Sequence, residues 1–121
     1  MKPLALVIED TEDLASVFST AMERAGFEVE IIYNGAVALE RLAEVVPDLV
    51  ILDLHLPGAS GEKILKFIRS DSRLEKIKVI VATADSNWAE QLASDSTISM
   101  LKPIGFTQLR QIAERLRPQD S

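Results

Sequence analysis

The chain has no cysteine, so disulfide frameworks, thiolate metal sites and thiol redox chemistry are all excluded. No apolar run approaches the roughly 20 residues that cross a bilayer. The acids Glu9 and Asp10 come too early for the apolar region of a signal peptide. The expectation is a soluble, cytoplasmic protein with no membrane partner. Positive charge is also scarce, with 13 Lys and Arg against 19 Asp and Glu and a formal charge of -6. Binding a phosphate backbone needs a basic patch that releases counterions, so direct nucleic-acid binding is not expected. The sequence has no glycine-rich dinucleotide fingerprint after its first apolar run, no internal repeat and no low-complexity segment. Within 121 residues there is room for one core that buries about two-thirds of the unfolded surface, and residues 1–121 read as one domain. Met1 directly before the first apolar run fits a natural amino terminus, and the polar residues 117–121 fit the start of a linker.

What the chain does contain is a set of short apolar runs that stop at polar residues. Residues 50–61 read VILDLHLPGASG, and the run 49–52 halts at Asp53 before a turn on Pro57 and Gly58. A short continuous run of this kind suits a strand covered on both faces of a parallel sheet. Residues 4–8 repeat the pattern, stopping at Glu9 and Asp10. Thr11 is a good N-cap, Glu12 and Asp13 suit a helix amino end, and Leu14, Val17, Phe18, Ala21, Met22 and Ala25 form one helical stripe that Gly26 closes. Residues 29–33 are expected as a strand. Asn34 and Gly35 then turn into a helix with Val37, Leu39, Leu42, Ala43 and Val46 inward and Pro47 at its end. Ser60 and Gly61 open a helix carrying Ile64, Leu65, Phe67 and Ile68, and residues 70–76 are a polar connection. Strands at 77–83 and 98–101 follow, separated by a short helix at 86–93 that contains Trp88. A final helix at 107–116 turns Leu109, Ile112, Ala113 and Leu116 inward. Five strands alternating with five helices predict an α/β three-layer sandwich around a parallel sheet, since right-handed crossovers put helices on both faces.

Parallel strands would bring Glu9, Asp10, Asp53, Thr83 and Lys102 to one rim, at the carboxyl edge where open α/β sheets bind ligands. Two carboxylates about 4 Å apart repel by about 4 kcal/mol at an effective dielectric of 20, and a third adds to the cost. Positive charge is therefore required. Lys102 brings one charge and a hard divalent cation two; Mg²⁺ fits because it takes few protein ligands and suits phosphate. A carboxylate between Mg²⁺ and an ammonium group is suited to accept a phosphoryl group, which makes Asp53 the candidate acceptor and Thr83 a hydrogen-bond donor to a phosphoryl oxygen. The competing reading is a solvated acidic rim in which Asp53 caps a turn.

These residues and spacings resemble the receiver domains of two-component response regulators. The matching motifs are Glu9 and Asp10 after the first strand, Asp53 followed by Leu56, Pro57 and Gly61, Thr83 with Ala84, and Lys102 with Pro103. The resemblance covers the whole chain and implies a doubly wound, flavodoxin-like sheet of strand order 2-1-3-4-5. It implies that Asp53 accepts a phosphoryl group from a histidine kinase or histidine phosphotransfer protein. Glu9, Asp10, Asp53 and the backbone carbonyl of His55 would hold Mg²⁺, and Lys102 would pair with the phosphoryl oxygens. The Lys102–Pro103 peptide is often cis in such proteins. Such a chain is a phosphoacceptor and not an enzyme. Its downstream protein or output domain is left open, as is a homodimer.

The chain also departs from that family. Receivers commonly carry an aromatic residue three positions before the lysine, where this chain has Ser99, and the stretch between Thr83 and Lys102 is short, so the fourth helix is expected to be trimmed. Trp88 and Phe106 flank the region and are candidates to substitute for the aromatic. The side chains of His55 and Asp85, each two residues after a site residue, are candidates for tuning phosphoryl lifetime. Two other functions compete. A haloacid-dehalogenase-like phosphatase would need a second Asp two residues after the first, where His55 stands. A receiver-like adaptor would bind a partner without phosphorylation; Ser99 and the trimmed helix favour it, and the intact acid pair, Asp53, Thr83 and Lys102 oppose it.

Overall fold

Alternate residues of a strand point to opposite faces, so a continuous apolar run is stable only where both faces are covered. The computed structural model describes residues 2–87 and 96–118 and shows that arrangement. Strands β1 (Leu4–Ile8), β2 (Glu28–Ile32), β3 (Leu49–Asp53), β4 (Lys78–Thr83) and β5 (Thr97–Leu101) form one sheet, parallel throughout, in the order β2-β1-β3-β4-β5. This is the expected doubly wound 2-1-3-4-5 sheet. The described helices are α1 (Glu12–Arg24), α2 (Gly35–Glu44), α3 (Gly61–Ser70) and α4 (Phe106–Leu116). The helix expected at 86–93, with Trp88, falls mostly outside the described residues. Among the described residues no helix is long and apolar enough to cross a membrane.

The alternation sorts the core into two layers. Ala5, Val7, Leu49, Ile51, Ile80 and Ala82 face α1 and α4, where Phe18, Met22, Phe27 and Leu109 complete the packing. Leu6, Ile8, Val50, Leu52, Val79 and Val81 face α2 and α3, which contribute Leu42, Ile64 and Ile68. Each buried Val, Leu, Ile, Phe or Met among them contributes roughly 1.5–3 kcal/mol when removed from water, so the central strands β1 and β3 are the least free to shift. Strand positions are held because slipping by one residue would exchange the two layers.

Several sequence expectations require correction. Val17, Val37, Ala43 and Val46, expected inward, are exposed; α2 instead turns Ala38 and Leu42 inward with Leu39 at the margin, and it ends at Glu44 before reaching Val46. Thr11 occupies the N-cap position of α1, but its side chain makes no capping hydrogen bond. Residues 70–76 are not wholly polar in function, because Leu74 is fully buried in the second layer. Gly26 does close α1, with φ of 101° in the left-handed region. Asn34 and Ser60 cap α2 and α3 through their side-chain oxygens.

Candidate functional site

Register assembles the rim. Ile8 is level with Leu52, so Glu9, the next residue, comes level with Asp53, the last residue of β3. Asp53 is level with Ala82, Thr83 ends β4 level with Leu101, and Lys102 follows immediately. All five expected site residues other than His55 thus arrive at the carboxyl edge, carried by strands whose apolar residues are locked below them. Glu9 and Thr83 are fully buried, Asp53 is 4% exposed, and Asp10 is exposed. His55 lies just past the edge with its side chain at the surface.

A buried carboxylate is tolerated only when paired or hydrogen-bonded, and both buried acids are. Thr11 N–H donates to Glu9 Oε2 at 3.2 Å, and His55 N–H donates to Asp53 Oδ1 at 3.2 Å. Lys102 Nζ bridges the two acids, 3.2 Å from Glu9 Oε1 and 3.4 Å from Asp53 Oδ1. The lysine is aligned by its own N–H, which donates to the Thr83 carbonyl at 2.8 Å; the Lys102–Pro103 peptide is cis. The Thr83 hydroxyl oxygen accepts from Asp85 N–H at 3.1 Å. Gly61 seats the far end of the loop after Asp53, because a Cβ there would lie 2.2 Å from the Asp53 carbonyl oxygen.

Glu9, Asp10 and Asp53 each offer a carboxylate oxygen, and the three lie within 4.8 Å of one another. Each ionised pair repels by about 3.5 kcal/mol at a dielectric of 20, and each of the two lysine contacts attracts by about 5 kcal/mol. Because 4.8 Å is the largest of these separations, that repulsion is a minimum which the two lysine contacts do not outweigh, and burial adds to it. The Glu9 carboxyl is accordingly pushed above its ordinary value, first by burial and then by the Asp53 charge, against the opposing pull of Thr11 N–H and Lys102. Three carboxylates and one ammonium carry two residual negative charges. An all-oxygen donor set of that charge fits a hard divalent cation of the Mg²⁺ type.

The backbone donors on Glu9, Asp53 and Thr83 were not among the sequence candidates. The signal for them is a polar side chain followed two residues later by a loop N–H, the geometry of a side-chain turn. Of the candidates for replacing the aromatic, Phe106 packs against the first core layer and Trp88 lies outside the described residues. Ser99 lies beside Val81, its hydroxyl buried with no hydrogen-bond partner among the described residues.

The family model described as the response regulator receiver domain matches residues 5–114. The phosphate regulon transcriptional regulatory protein PhoB of Rhizobium meliloti is 36% identical over 112 residues, which are 90% of this chain and 49% of PhoB. The DNA-binding response regulator MtrA of Mycolicibacterium paratuberculosis is 31% identical over 121 residues, 99% of this chain and 54% of MtrA. The chain thus spans about half the length of the curated relatives it matches. The chemotaxis response regulator CheY4 of Vibrio cholerae superposes with a TM-score of 0.83, covering 96% of this chain and 99% of CheY4 at 21% identity, which speaks to the fold alone. With the parallel sheet, the acids at its carboxyl edge and these matches together, the chain belongs to the receiver domain family of two-component response regulators.

Proposed function

We propose that Asp53 is the phosphoacceptor of this receiver, taking a phosphoryl group from a histidine kinase or histidine phosphotransfer protein in a Mg²⁺-dependent reaction. The observation that carries the reading is the Lys102 ammonium bridging Glu9 and Asp53 inside an acid cluster that keeps two negative charges. An Asp53 carboxylate oxygen attacks phosphorus, the P–N bond of phosphohistidine breaks, and its electron pair returns to the imidazole nitrogen. Lys102 Nζ already stands within 3.4 Å of Asp53 Oδ1 and can follow an oxygen built upon it. The Thr83 hydroxyl can turn its proton to a phosphoryl oxygen while its oxygen keeps the Asp85 N–H. Glu9, Asp10, Asp53 and the His55 carbonyl would hold the metal, which when bound supplies charge neutralisation at the transferring oxygens. Asp53 is modified in this reaction, so the chain is a substrate of its partner and not an enzyme. Phosphorylation then shifts an existing equilibrium between two arrangements of the Thr83 loop by a few kcal/mol. Residues 1–121 act as one cytoplasmic receiver unit, alone or as a homodimer. The formal charge of -6 assigns any DNA contact of the kind named for MtrA to another domain.

Acetyl phosphate with Mg²⁺ should label the purified protein, with mass spectrometry locating the group on Asp53 and no labelling of Asp53→Asn. Labelling that persists in Asp53→Asn overturns the assignment. Ser99 in place of the usual aromatic favours a second reading, a receiver-like adaptor that binds its partner unphosphorylated; a wild type that stays unlabelled under these conditions selects it.

A further inference from the structure

We infer that the first turn of α2 is a platform that positions the loop after Asp53, with Gly35 as its positioning residue; this rests on the phosphoacceptor reading given above. The loop, residues 54–60, holds His55, whose N–H donates to Asp53 Oδ1. Its start is tied by Gly61 N–H to the Leu54 carbonyl at 3.1 Å. Its apex rests on α2: Gly35 N–H donates to the Pro57 carbonyl at 2.8 Å, and the same carbonyl accepts Ala59 N–H at 3.0 Å. There is no space in this contact. A Cβ on Gly35 would lie 1.9 Å from the Ala59 carbonyl oxygen and 2.7 Å from its carbon. Both are backbone atoms, so no rotamer change relieves the overlap, and regaining ordinary contact at 3.4 Å moves the loop by roughly 1.5 Å. On the loop side, Gly58 has φ of 86°, and its missing Cβ would lie 2.4 Å from Asn34 Oδ1. That oxygen is itself fixed, accepting Ala36 N–H at 2.7 Å and Val37 N–H at 3.3 Å as the cap of α2.

The consequence is mechanical. Pro57 is two residues from His55, so a displacement at the apex is transmitted to the N–H that orients Asp53 and to the carbonyl proposed as a metal ligand. Groups that orient metal ligands from outside typically contribute about 10–100-fold in metal affinity, and misplacement of about 1 Å in reacting groups costs on the order of 100-fold in rate. Gly35 therefore acts on the site without touching any of its carboxylates.

Mg²⁺ affinity by isothermal titration, and amide hydrogen exchange without metal, test this on the whole chain. Gly35→Ala should bind Mg²⁺ about 10-fold more weakly and speed exchange at the His55 amide while still melting cooperatively. Phe27→Leu opens a cavity in the first core layer, just before β2 at the opposite edge of the sheet; it should lower Tm and leave both readouts at wild-type values. Should Gly35→Ala not fold, Gly58→Ala presses the same contact from the loop side and should move the same two readouts. Wild-type readouts in a folded Gly35→Ala or Gly58→Ala, or equal changes in Phe27→Leu, overturn the inference. A wild type that binds no Mg²⁺, with His55 exchange still faster in Gly35→Ala, removes the magnesium-dependent reading and leaves the platform standing.

Discussion

Lys102 shows how one residue decides the state of a site. Its ammonium is shared by two carboxylates whose side chains are only 1% and 5% exposed, and removing one partner of a buried pair strands the other charge. Lys102→Ala should destabilise the metal-free protein by about 3 kcal/mol, measured by urea unfolding at neutral pH. In the double variant Glu9→Gln, Lys102→Ala the loss should be smaller than in Lys102→Ala alone, because one stranded charge has gone; an equal or larger loss would remove the buried pair as the cause. Asp10 provides the contrast. Being exposed and outside the lysine bridge, Asp10→Asn should leave the metal-free protein at least as stable as the wild type in urea, because it removes repulsion on Glu9 and Asp53 without stranding a charge, while weakening Mg²⁺ binding in a titration. Such a split between stability and affinity separates a buried structural charge from a ligand at the rim.

At the scale of elements, the carboxyl end of α3 is held by guanidinium groups. Arg69 donates to the carbonyls of Glu75, Ile77 and Ser96 and to Thr97 Oγ1, at 2.6–3.0 Å, tying α3 to the turn before β4 and to the start of β5. Burial lowers its basicity below the ordinary arginine value, and the four acceptors keep the group satisfied. Arg69→Ala should cost about 3 kcal/mol in urea unfolding, near 1 kcal/mol for each bond lost beyond the first. Arg69→Lys should recover only part, because an ammonium lacks the planar fork. Next to it, the Arg73 N–H and then the Arg73 guanidinium hold the Asp71 carboxyl below its ordinary value. A carboxyl whose folded value is depressed stabilises the fold at neutral pH and loses that contribution as pH falls below about 4. Asp71→Asn should therefore flatten the fall of Tm between pH 5 and pH 2.

At the scale of the whole molecule, two core layers on one sheet should melt as a single cooperative unit. Leu74→Ala, fully buried in the second layer, should cost 2–5 kcal/mol and leave acetyl-phosphate labelling unchanged well below its Tm. The amino-acid sequence by itself determined the layer architecture and which polar residues end the strands at the carboxyl edge. Continuous apolar runs must be covered on both faces, and a charged residue that ends such a run has only the edge of the sheet to occupy, so Glu9, Asp53, Thr83 and Lys102 were legible in order. Helix faces were less legible. Val17 and Val37 are as apolar as Leu42 yet exposed, since a helix of three turns offers more than one apolar stripe and its neighbours choose between them, and Val46 is exposed because α2 stops at Glu44. Leu74 was hidden for the converse reason, a single apolar residue among polar ones. Only the tertiary structure decided that Lys102 bridges Glu9 and Asp53 together and that Gly35 supports the loop beside them. Both join residues from different strands and turns, and distances between such elements are set by packing, which no local pattern encodes.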